Sequence, residues 1–153
     1  MRDTLTIRDA EPADLASVLE LYTHLTPNNV PFSLKTAEEI FRKFLVYEGS
    51  AILLGEVDGK PVSSCTLVII PNLTRGGTPY ALVENVVTHA DSRSRGYGKR
   101  ILDAASERAW DQGCYKVMLM TGSSARATLD FYERAGFKQT KTGFQKRRAH
   151  EVR

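Results

Sequence analysis

Two glycines and four cations lie within eight consecutive residues, Arg93 to Arg100, and this combination suits the binding of a pyrophosphate. Glycine lets successive backbone N–H groups converge on one anion, because no Cβ blocks the approach of the phosphate oxygens. Apolar residues recur at helical spacing directly afterwards, so we expect a helix that begins near Gly98. Such a helix points its free N–H groups and positive dipole end at the same anion. Residues 93–100 are called the glycine loop below.

Composition and charge narrow the class of protein. The chain has 153 residues, 42% hydrophobic and 25% charged, which fits one globular domain over residues 1–153. The net charge of +3 is too small to predict nucleic-acid binding but is compatible with an anionic ligand. No apolar run suits export or a membrane span, so we expect a cytoplasmic protein without a membrane partner. Cys65 and Cys114 offer neither a disulfide framework nor zinc spacing.

Hydrophobic periodicity divides the chain into strands and helices without repeats or linkers. The strongest local signal is Asp58-Gly59-Lys60-Pro61 between two β-branched runs, which predicts an antiparallel hairpin. The spacing of Thr36 and Glu39 is that of a capping box and predicts the start of the second helix. The predicted order is strand 4–8, helix 12–22, helix 36–45, strands 51–57, 62–70 and 81–88, a helix after the glycine loop, strand 115–120, helix 125–134 and a final strand or hairpin from Phe137.

These elements predict a mixed α/β sheet. The three strands at 51–57, 62–70 and 81–88 follow one another through short turns, so they form an antiparallel meander. The strand at 115–120 returns after a helix, which predicts a right-handed crossover and parallel pairing with strand 81–88. The glycine loop therefore lies where a strand passes into the crossover helix.

Three segments together resemble the GNAT superfamily of acyl-CoA-dependent N-acyltransferases: Val86-Val87-Thr88, Arg93 to Gly98, and Phe131 to Phe137. The family pattern at the loop is Arg or Gln, two residues, Gly, one residue, then Gly or Ala, and every specified position is satisfied here. The resemblance covers nearly the whole chain. It implies an α/β (α+β) fold with a mostly antiparallel central sheet, about four flanking helices, and a parallel strand pair splayed around the cofactor.

Within that superfamily, Glu84 to Val87, Gly113 to Val117 and the Phe131-Tyr132 segment are similar to glucosamine-6-phosphate N-acetyltransferases. Those enzymes usually carry Glu-Asp where this chain has Glu84-Asn85. They also carry an acidic residue in the stretch that here reads Met120-Thr121-Gly122-Ser123. Many superfamily members place an Asn where this chain has Ala125. The resemblance therefore suggests an amino sugar as one acceptor and leaves other amines open.

The resemblance implies acetyl-CoA as co-substrate, a primary amine of a small molecule as acceptor, and no metal. It places the pantetheine arm along the strand before the glycine loop, where one backbone N–H polarises the thioester carbonyl and stabilises the oxyanion. The pyrophosphate lies over backbone N–H groups of the loop, as the residues alone also suggest. The implied cofactor-binding residues are Val86, Val87, Thr88, Arg93, Ser94, Arg95, Gly96, Tyr97, Gly98 and Lys99.

Two side chains are candidates for proton transfer. Tyr132 matches the family's general acid, and a phenol with a pKa of about 10 is close enough to a thiol to protonate the departing thiolate. The alternative is that Tyr132 only packs beside Leu129 and Phe131. Glu84 is the candidate general base, a role that requires burial or a water relay. It could instead hydrogen-bond the acceptor or serve as a structural carboxylate.

Other functions stay open at this level. The same loop would serve a non-catalytic acyl-CoA-binding module, and the acceptor could be a protein amine. Contacts of the loop and of Lys146 to Arg148 with nucleic acid are disfavoured, because few aromatic residues interleave with these cations. The three histidines, His24, His89 and His150, show no metal spacing, and Cys114 has no adjacent base that would favour an acyl-cysteine. The family tendency also allows a homodimer. The expected acceptor walls are 26–32, the second helix, 72–78 and Glu84.

Overall fold

A five-stranded sheet in the order β1-β2-β3-β4-β5 forms the centre of the computed structural model, which describes residues 4–149. The strands are β1 (Thr6–Asp9), β2 (Ala51–Val57), β3 (Lys60–Ile70), β4 (Tyr80–Thr88) and β5 (Val117–Leu119). The α-helices within the described residues are α1 (Leu15–Thr23), α2 (Leu34–Leu45), α3 (Tyr97–Asp111) and α4 (Arg126–Arg134). Short 3-10 turns cover Pro12–Asp14, Arg75–Gly77 and Ala90–Ser92.

The sheet is antiparallel from β1 to β4, and β4 pairs with β5 in parallel after the α3 crossover. The predicted fold class is confirmed. Asp58 and Gly59 connect β2 to β3 with φ angles of 50° and 75°. Two successive positive φ angles are those of the two-residue turn that matches the twist of a hairpin, which confirms the predicted hairpin.

Two hydrophobic clusters cover the two faces of the sheet. On one face Leu53, Cys65 and Val83 pack against Ile101 and Leu102 of α3, and this is called the α3 face. On the other face, called the α1 face, side chains of α1 and α2 pack against Ile52, Leu54 and Val87. Because side chains cover both faces, a ligand can reach the backbone of the strands only where two neighbouring strands separate.

Strand β5 is shorter than the predicted strand 115–120, and a 3-10 turn precedes α1 where the helix was predicted to begin. Two further differences have a clear physical reason. The second helix begins two residues earlier than expected, because Ser33 caps it: the Ser33 Oγ accepts a hydrogen bond of 3.1 Å from the Thr36 N–H. The capping box assigned to Thr36 and Glu39 is therefore wrong. The final strand predicted from Phe137 is also wrong, since residues 137–148 form no strand. After Phe137 this segment is rich in Lys, Arg, Thr and Gln and has no alternating apolar face to bury.

Within residues 4–149, none of the helices combines the length and the apolar character that a membrane crossing requires.

Candidate active site

A β-bulge interrupts β4 in the middle of the sheet. Glu84 is opposite Thr66 and Val87 is opposite Ser64, so Asn85 and Val86 face the single residue Cys65. Asn85 has a φ of 50°, a left-handed conformation that asparagine tolerates better than most residues. The extra residue moves the following side chains to the other face of the sheet. Val83 accordingly lies in the α3-face cluster, whereas Val87 lies in the α1-face cluster.

β4 and β5 separate just before this bulge. Their parallel pairing runs from Ala81 opposite Val117 to Val83 opposite Leu119 and ends there. Within residues 4–149, the backbone of Glu84 to Thr88 has no strand partner on its β5 side. Because backbone N–H and C=O groups need hydrogen-bond partners, this stretch can bind an extended ligand in the manner of an added strand.

The glycine loop leads from β4 into α3. Ser94 and Gly96 both adopt positive φ angles, 62° and 81°, and Gly96 is the residue before the first helical turn. The first helical hydrogen bond joins the Arg100 N–H to the Gly96 carbonyl at 3.2 Å. The N–H groups of Tyr97, Gly98 and Lys99 precede this bond, as a helix N-terminus that binds an anion requires. The helix predicted near Gly98 is confirmed and begins at Tyr97.

Three cationic side chains of the glycine loop, Arg93, Lys99 and Arg100, contact other groups of the protein. Arg93 donates from Nε to the Thr88 carbonyl and from Nη2 to the His24 carbonyl, both at 3.3 Å. Lys99 pairs with Asp103 at 2.6 Å, and Arg100 donates to the Leu5 carbonyl at 2.9 Å. Arg93 therefore shapes the turn, and the backbone N–H groups remain the best candidates for phosphate binding.

Tyr97 contributes to the core through its side chain, which is only 6% exposed. Of this residue, the backbone N–H is therefore the group that can serve a ligand. Val86 and Thr88 are half-buried on β4, and Val87 is buried.

Tyr132 lies on α4, where its ring is half-buried between Phe131, at a centroid distance of 5.0 Å, and Phe137, at 6.4 Å. Burial raises the pKa of the Tyr132 phenol, and among residues 4–149 no hydrogen bond to the hydroxyl opposes this effect. Val86 and Tyr132 both pack against the α3-face cluster. The predicted acid, Tyr132, and one of the two bulge residues, Val86, therefore lie on the same face of the sheet.

Glu84 lies on the opposite face, because it alternates with Val83 along β4. It is half-buried and is paired across the sheet with Thr66. The structure therefore does not place Glu84 and Tyr132 side by side. They flank the sheet from its two faces, on either side of the opening beside the bulge.

Tyr22 is a residue of this site that sequence reasoning missed. Its Oη lies 3.4 Å from the Thr66 Oγ1, and burial raises its pKa, while the nearby polar side chains of Thr66 and Asn85 act in the opposite direction. In the sequence, Tyr22 reads as one more apolar residue on the buried face of α1. Its contacts depend on a strand 44 residues away.

His24 and His89 connect the end of α1 to the glycine loop. Their rings lie 4.0 Å apart between centroids. The Nδ1 atom of His24 accepts a hydrogen bond from the Ala90 N–H at 3.3 Å, and that of His89 accepts one from the Asp91 N–H at 3.1 Å. Both side chains therefore order the turn that precedes the loop.

An apolar cavity of about 280 Å³ lies between α1 and α2. Residues 29–32 line it together with Leu19, Leu34 and Ala37. The segment 72–78, expected as another acceptor wall, precedes β4 and is closed by hydrogen bonds from Asn72 to the Thr74 and Thr78 carbonyls. Tyr80, the first residue of β4, is five residues from Asn85, which corresponds to roughly 16 Å along the strand. Residues 72–78 therefore lie at the end of β4 that is far from the bulge.

Cys65 and Cys114 are both free thiols and both are buried. No group of three or more His, Cys, Asp or Glu side chains within residues 4–149 is arranged to hold a metal. Burial raises the pKa of the Cys65 thiol to about 12 and also raises that of Cys114. Neither thiol is therefore disposed to form the thiolate that an acyl-cysteine mechanism needs.

Comparison with known proteins gives consistent matches. A family model described as Acetyltransferase (GNAT) family matches residues 15–137. A glucosamine 6-phosphate N-acetyltransferase from Trypanosoma brucei brucei is 34% identical over 136 residues, which cover 88% of this chain and 89% of that protein.

Solved structures agree with this match. A protein from Agrobacterium tumefaciens strain C58, provisionally named an acetyltransferase, is 45% identical with a TM-score of 0.90, and the match covers 94% of this chain and 99% of that one. An aminoglycoside N-acetyltransferase solved in complex with CoA shares the fold at 17% identity, with a TM-score of 0.80 and 96% of each chain covered.

Proposed function

Since this chain belongs to the acetyltransferase (GNAT) family, we propose that it transfers an acetyl group from acetyl-CoA to a primary amine of a small molecule. The transfer is a direct attack of the amine on the thioester within a ternary complex. One observation carries the proposal: the backbone of Glu84 to Thr88, which has no strand partner on its β5 side, is followed by the glycine loop and the N-terminus of α3. An extended arm and a pyrophosphate can therefore be bound in one continuous path.

The residues present fit acetyl-CoA. The pyrophosphate binds to backbone N–H groups of residues 93–98, with Lys99 adding positive charge at the first helical turn. The pantetheine arm lies beside Val86, Val87 and Thr88, along the side of β4 that has no β5 partner. This division of roles agrees with the side-chain contacts of Arg93, which are made to protein carbonyls.

The bulge supplies the electrostatic part of the mechanism. A backbone N–H of Asn85 or Val86 that no neighbouring strand accepts can donate to the thioester carbonyl and to the oxyanion that develops from it. Removing one such donor from an enzyme typically costs about 10²- to 10³-fold in kcat. A left-handed residue at this point re-aims the peptide groups, which is the structural use of a bulge.

Proton transfer falls to side chains on the two faces. Tyr132 protonates the departing thiolate, and its raised pKa keeps the phenol protonated at neutral pH. Glu84 accepts the amine proton from the α1 face, directly or through a water molecule. The acceptor therefore approaches from the α1 face, while acetyl-CoA occupies the opening and the α3 face.

The Trypanosoma relative supports glucosamine 6-phosphate as one acceptor. Glucosamine-6-phosphate N-acetyltransferases usually carry Glu-Asp where this chain has Glu84-Asn85. A neutral amide therefore replaces the usual carboxylate at the bulge. Glucosamine 6-phosphate is therefore the first primary amine to test, with a protein amine as the alternative.

The test is thiol release from acetyl-CoA with a panel of primary amines that includes glucosamine 6-phosphate, glucosamine, polyamines and amino acids. We expect release with at least one amine, an acetylated product by mass spectrometry, and initial-rate lines that intersect when both substrates are varied. Binding of acetyl-CoA without release for any amine would replace the enzyme by an acyl-CoA-binding module. Parallel lines would replace direct attack by a covalent intermediate.

A further inference from the structure

Tyr22 reaches the bulge from the last turn of α1. Its hydroxyl lies 3.4 Å from the Thr66 Oγ1 on β3, and the polar side chain of Asn85 on β4 is near enough to lower its pKa. We propose that Tyr22 is a positioning residue that holds the bulge of β4 in the shape that receives the thioester carbonyl. This inference rests on the proposed use of the bulge as the carbonyl-binding group.

The bulge needs such support because its conformation is costly. A residue other than glycine in the left-handed region persists where the surrounding structure holds it there. Asn85 is exposed at its side chain and is followed by backbone without a strand partner towards β5. The support must therefore come from β3 and from α1. Thr66 is paired with Glu84, the residue directly before Asn85.

The tyrosine ring is well placed to provide that support. It packs against the α1-face cluster, as Leu19 and Phe44 do, and this packing restricts the orientation of the ring. A neutral phenol donates one hydrogen bond and accepts others, which suits a bridge between a threonine hydroxyl and an asparagine amide. Two residues later, His24 binds the turn before the glycine loop. The end of α1 thus contacts both parts of the donor site.

The test separates contact with the acetyl group from contact with the rest of the coenzyme. Tyr22→Phe keeps the ring and removes the hydroxyl. Dissociation constants for CoA and for acetyl-CoA are measured by calorimetry with the wild type and the variant. We expect an unchanged CoA affinity and a ratio of acetyl-CoA to CoA affinity that falls about two- to tenfold, the range expected for one net hydrogen bond. Tyr47→Phe, which removes a hydroxyl from an exposed ring outside the site, is the matched control.

A second variant tests the same contact from its β3 side. Thr66→Val removes the partner hydroxyl with little change in volume and should lower the same ratio, so the test stands even if Tyr22→Phe does not fold. Asn85→Gly keeps the left-handed conformation without the amide. Added to Asn85→Gly, Tyr22→Phe should lower the ratio by less than it does alone, because the two side chains act together.

Each result of these binding measurements either supports or overturns the positioning role of Tyr22. An unchanged ratio in both Tyr22→Phe and Thr66→Val overturns the positioning role, and so does an equal loss of affinity for CoA and acetyl-CoA, which marks a merely structural contact. Because only binding is measured, failure of every amine in the thiol-release assay would overturn the proposed function without affecting this result. Absence of binding of either coenzyme to the wild type would overturn both.

Discussion

A Cβ placed on Gly98 would lie 3.0 Å from the Cζ atom of Phe131, closer than side chains in folded proteins normally approach. The Phe131 Cε2 and the Thr88 Oγ1 would follow at 3.3 and 3.5 Å. Gly98 has an ordinary helical conformation, so the site requires space there and not backbone freedom. The second glycine of the loop therefore sets the distance between α3 and α4, the helix that carries Tyr132.

Gly98→Ala should displace α4 from the start of α3. Added volume in a packed contact typically costs about 1–3 kcal/mol, so we expect a lower melting temperature and weaker CoA binding. The double variant Gly98→Ala/Phe131→Leu replaces a ring with a smaller side chain and should recover part of both. Thermal unfolding and calorimetric titration with CoA measure the two effects.

Gly122→Ala is the control for this substitution, because a Cβ at Gly122 meets open space. It should leave CoA affinity unchanged. Normal CoA affinity and stability in Gly98→Ala would show that α3 and α4 accommodate the methyl group, and the spacing role of Gly98 would be lost.

Tyr132→Phe should lower kcat by roughly 10²-fold, within the range that a positioned proton donor contributes. Burial raises the pKa of the wild-type phenol above its usual value near 10. If Tyr132 is the general acid, as proposed, it is in its active, protonated form below that value and becomes inactive only as the pH rises through the raised pKa. The measured kcat of the wild type should consequently show no loss from Tyr132 between pH 7 and 10.

Tyr115→Phe serves as the comparison, since Tyr115 lies two residues before β5, where its ring contacts Tyr80 and Lys116. Its kcat should equal that of the wild type. A Tyr132→Phe enzyme with unchanged kcat at saturating acetyl-CoA and amine across the pH range would assign Tyr132 a packing role beside Phe131.

Short sequence patterns were sufficient to predict much of the fold. Asp58-Gly59 fixes the hairpin because few residues other than Asn, Asp and Gly accept two positive φ angles. The glycine loop followed by helical periodicity located the start of α3 within one residue. Parallel pairing of β4 and β5 followed from the intervening helix. Each of these signals lies within a short stretch of sequence.

The bulge could not be predicted in the same way. Whether Asn85 and Val86 share one partner depends on the register between β3 and β4, and no residue in β4 alone specifies that register. Tyr22 is separated from Thr66 by 44 residues, so its hydroxyl partner appears only when α1 packs on the sheet. The only local hint was an asparagine, a residue that tolerates left-handed backbone, in the middle of a strand.

Alkylation should leave the enzyme active. Cys65 is fully buried with a thiol pKa of about 12, and Cys114 is 8% exposed with a raised pKa. Thiolate, the reactive form, is therefore scarce at neutral pH. Treatment with iodoacetamide at pH 7.5 should retain nearly full thiol-release activity, and Cys114→Ser should behave like the wild type. Inactivation that acetyl-CoA prevents would instead favour an acyl-cysteine intermediate.

Arg93→Lys should weaken CoA binding almost as much as Arg93→Ala. The guanidinium bridges the Thr88 and His24 carbonyls through two different nitrogens, and a single ammonium on a flexible stem cannot hold both. Loss of this bridge loosens the turn that presents the N–H groups of the glycine loop. Calorimetric titration with CoA measures the change in affinity for each variant.

Ionic strength distinguishes this positioning role of Arg93 from direct contact with phosphate. An Arg93 that shapes the backbone contributes little to the salt dependence of CoA affinity, so the wild type and Arg93→Ala should lose affinity in parallel as salt rises. Lys99→Ala removes a charge at the first helical turn and should reduce that dependence. If Arg93→Lys retains wild-type affinity while Arg93→Ala abolishes the salt dependence, the guanidinium binds the pyrophosphate itself and the bridge to His24 is incidental.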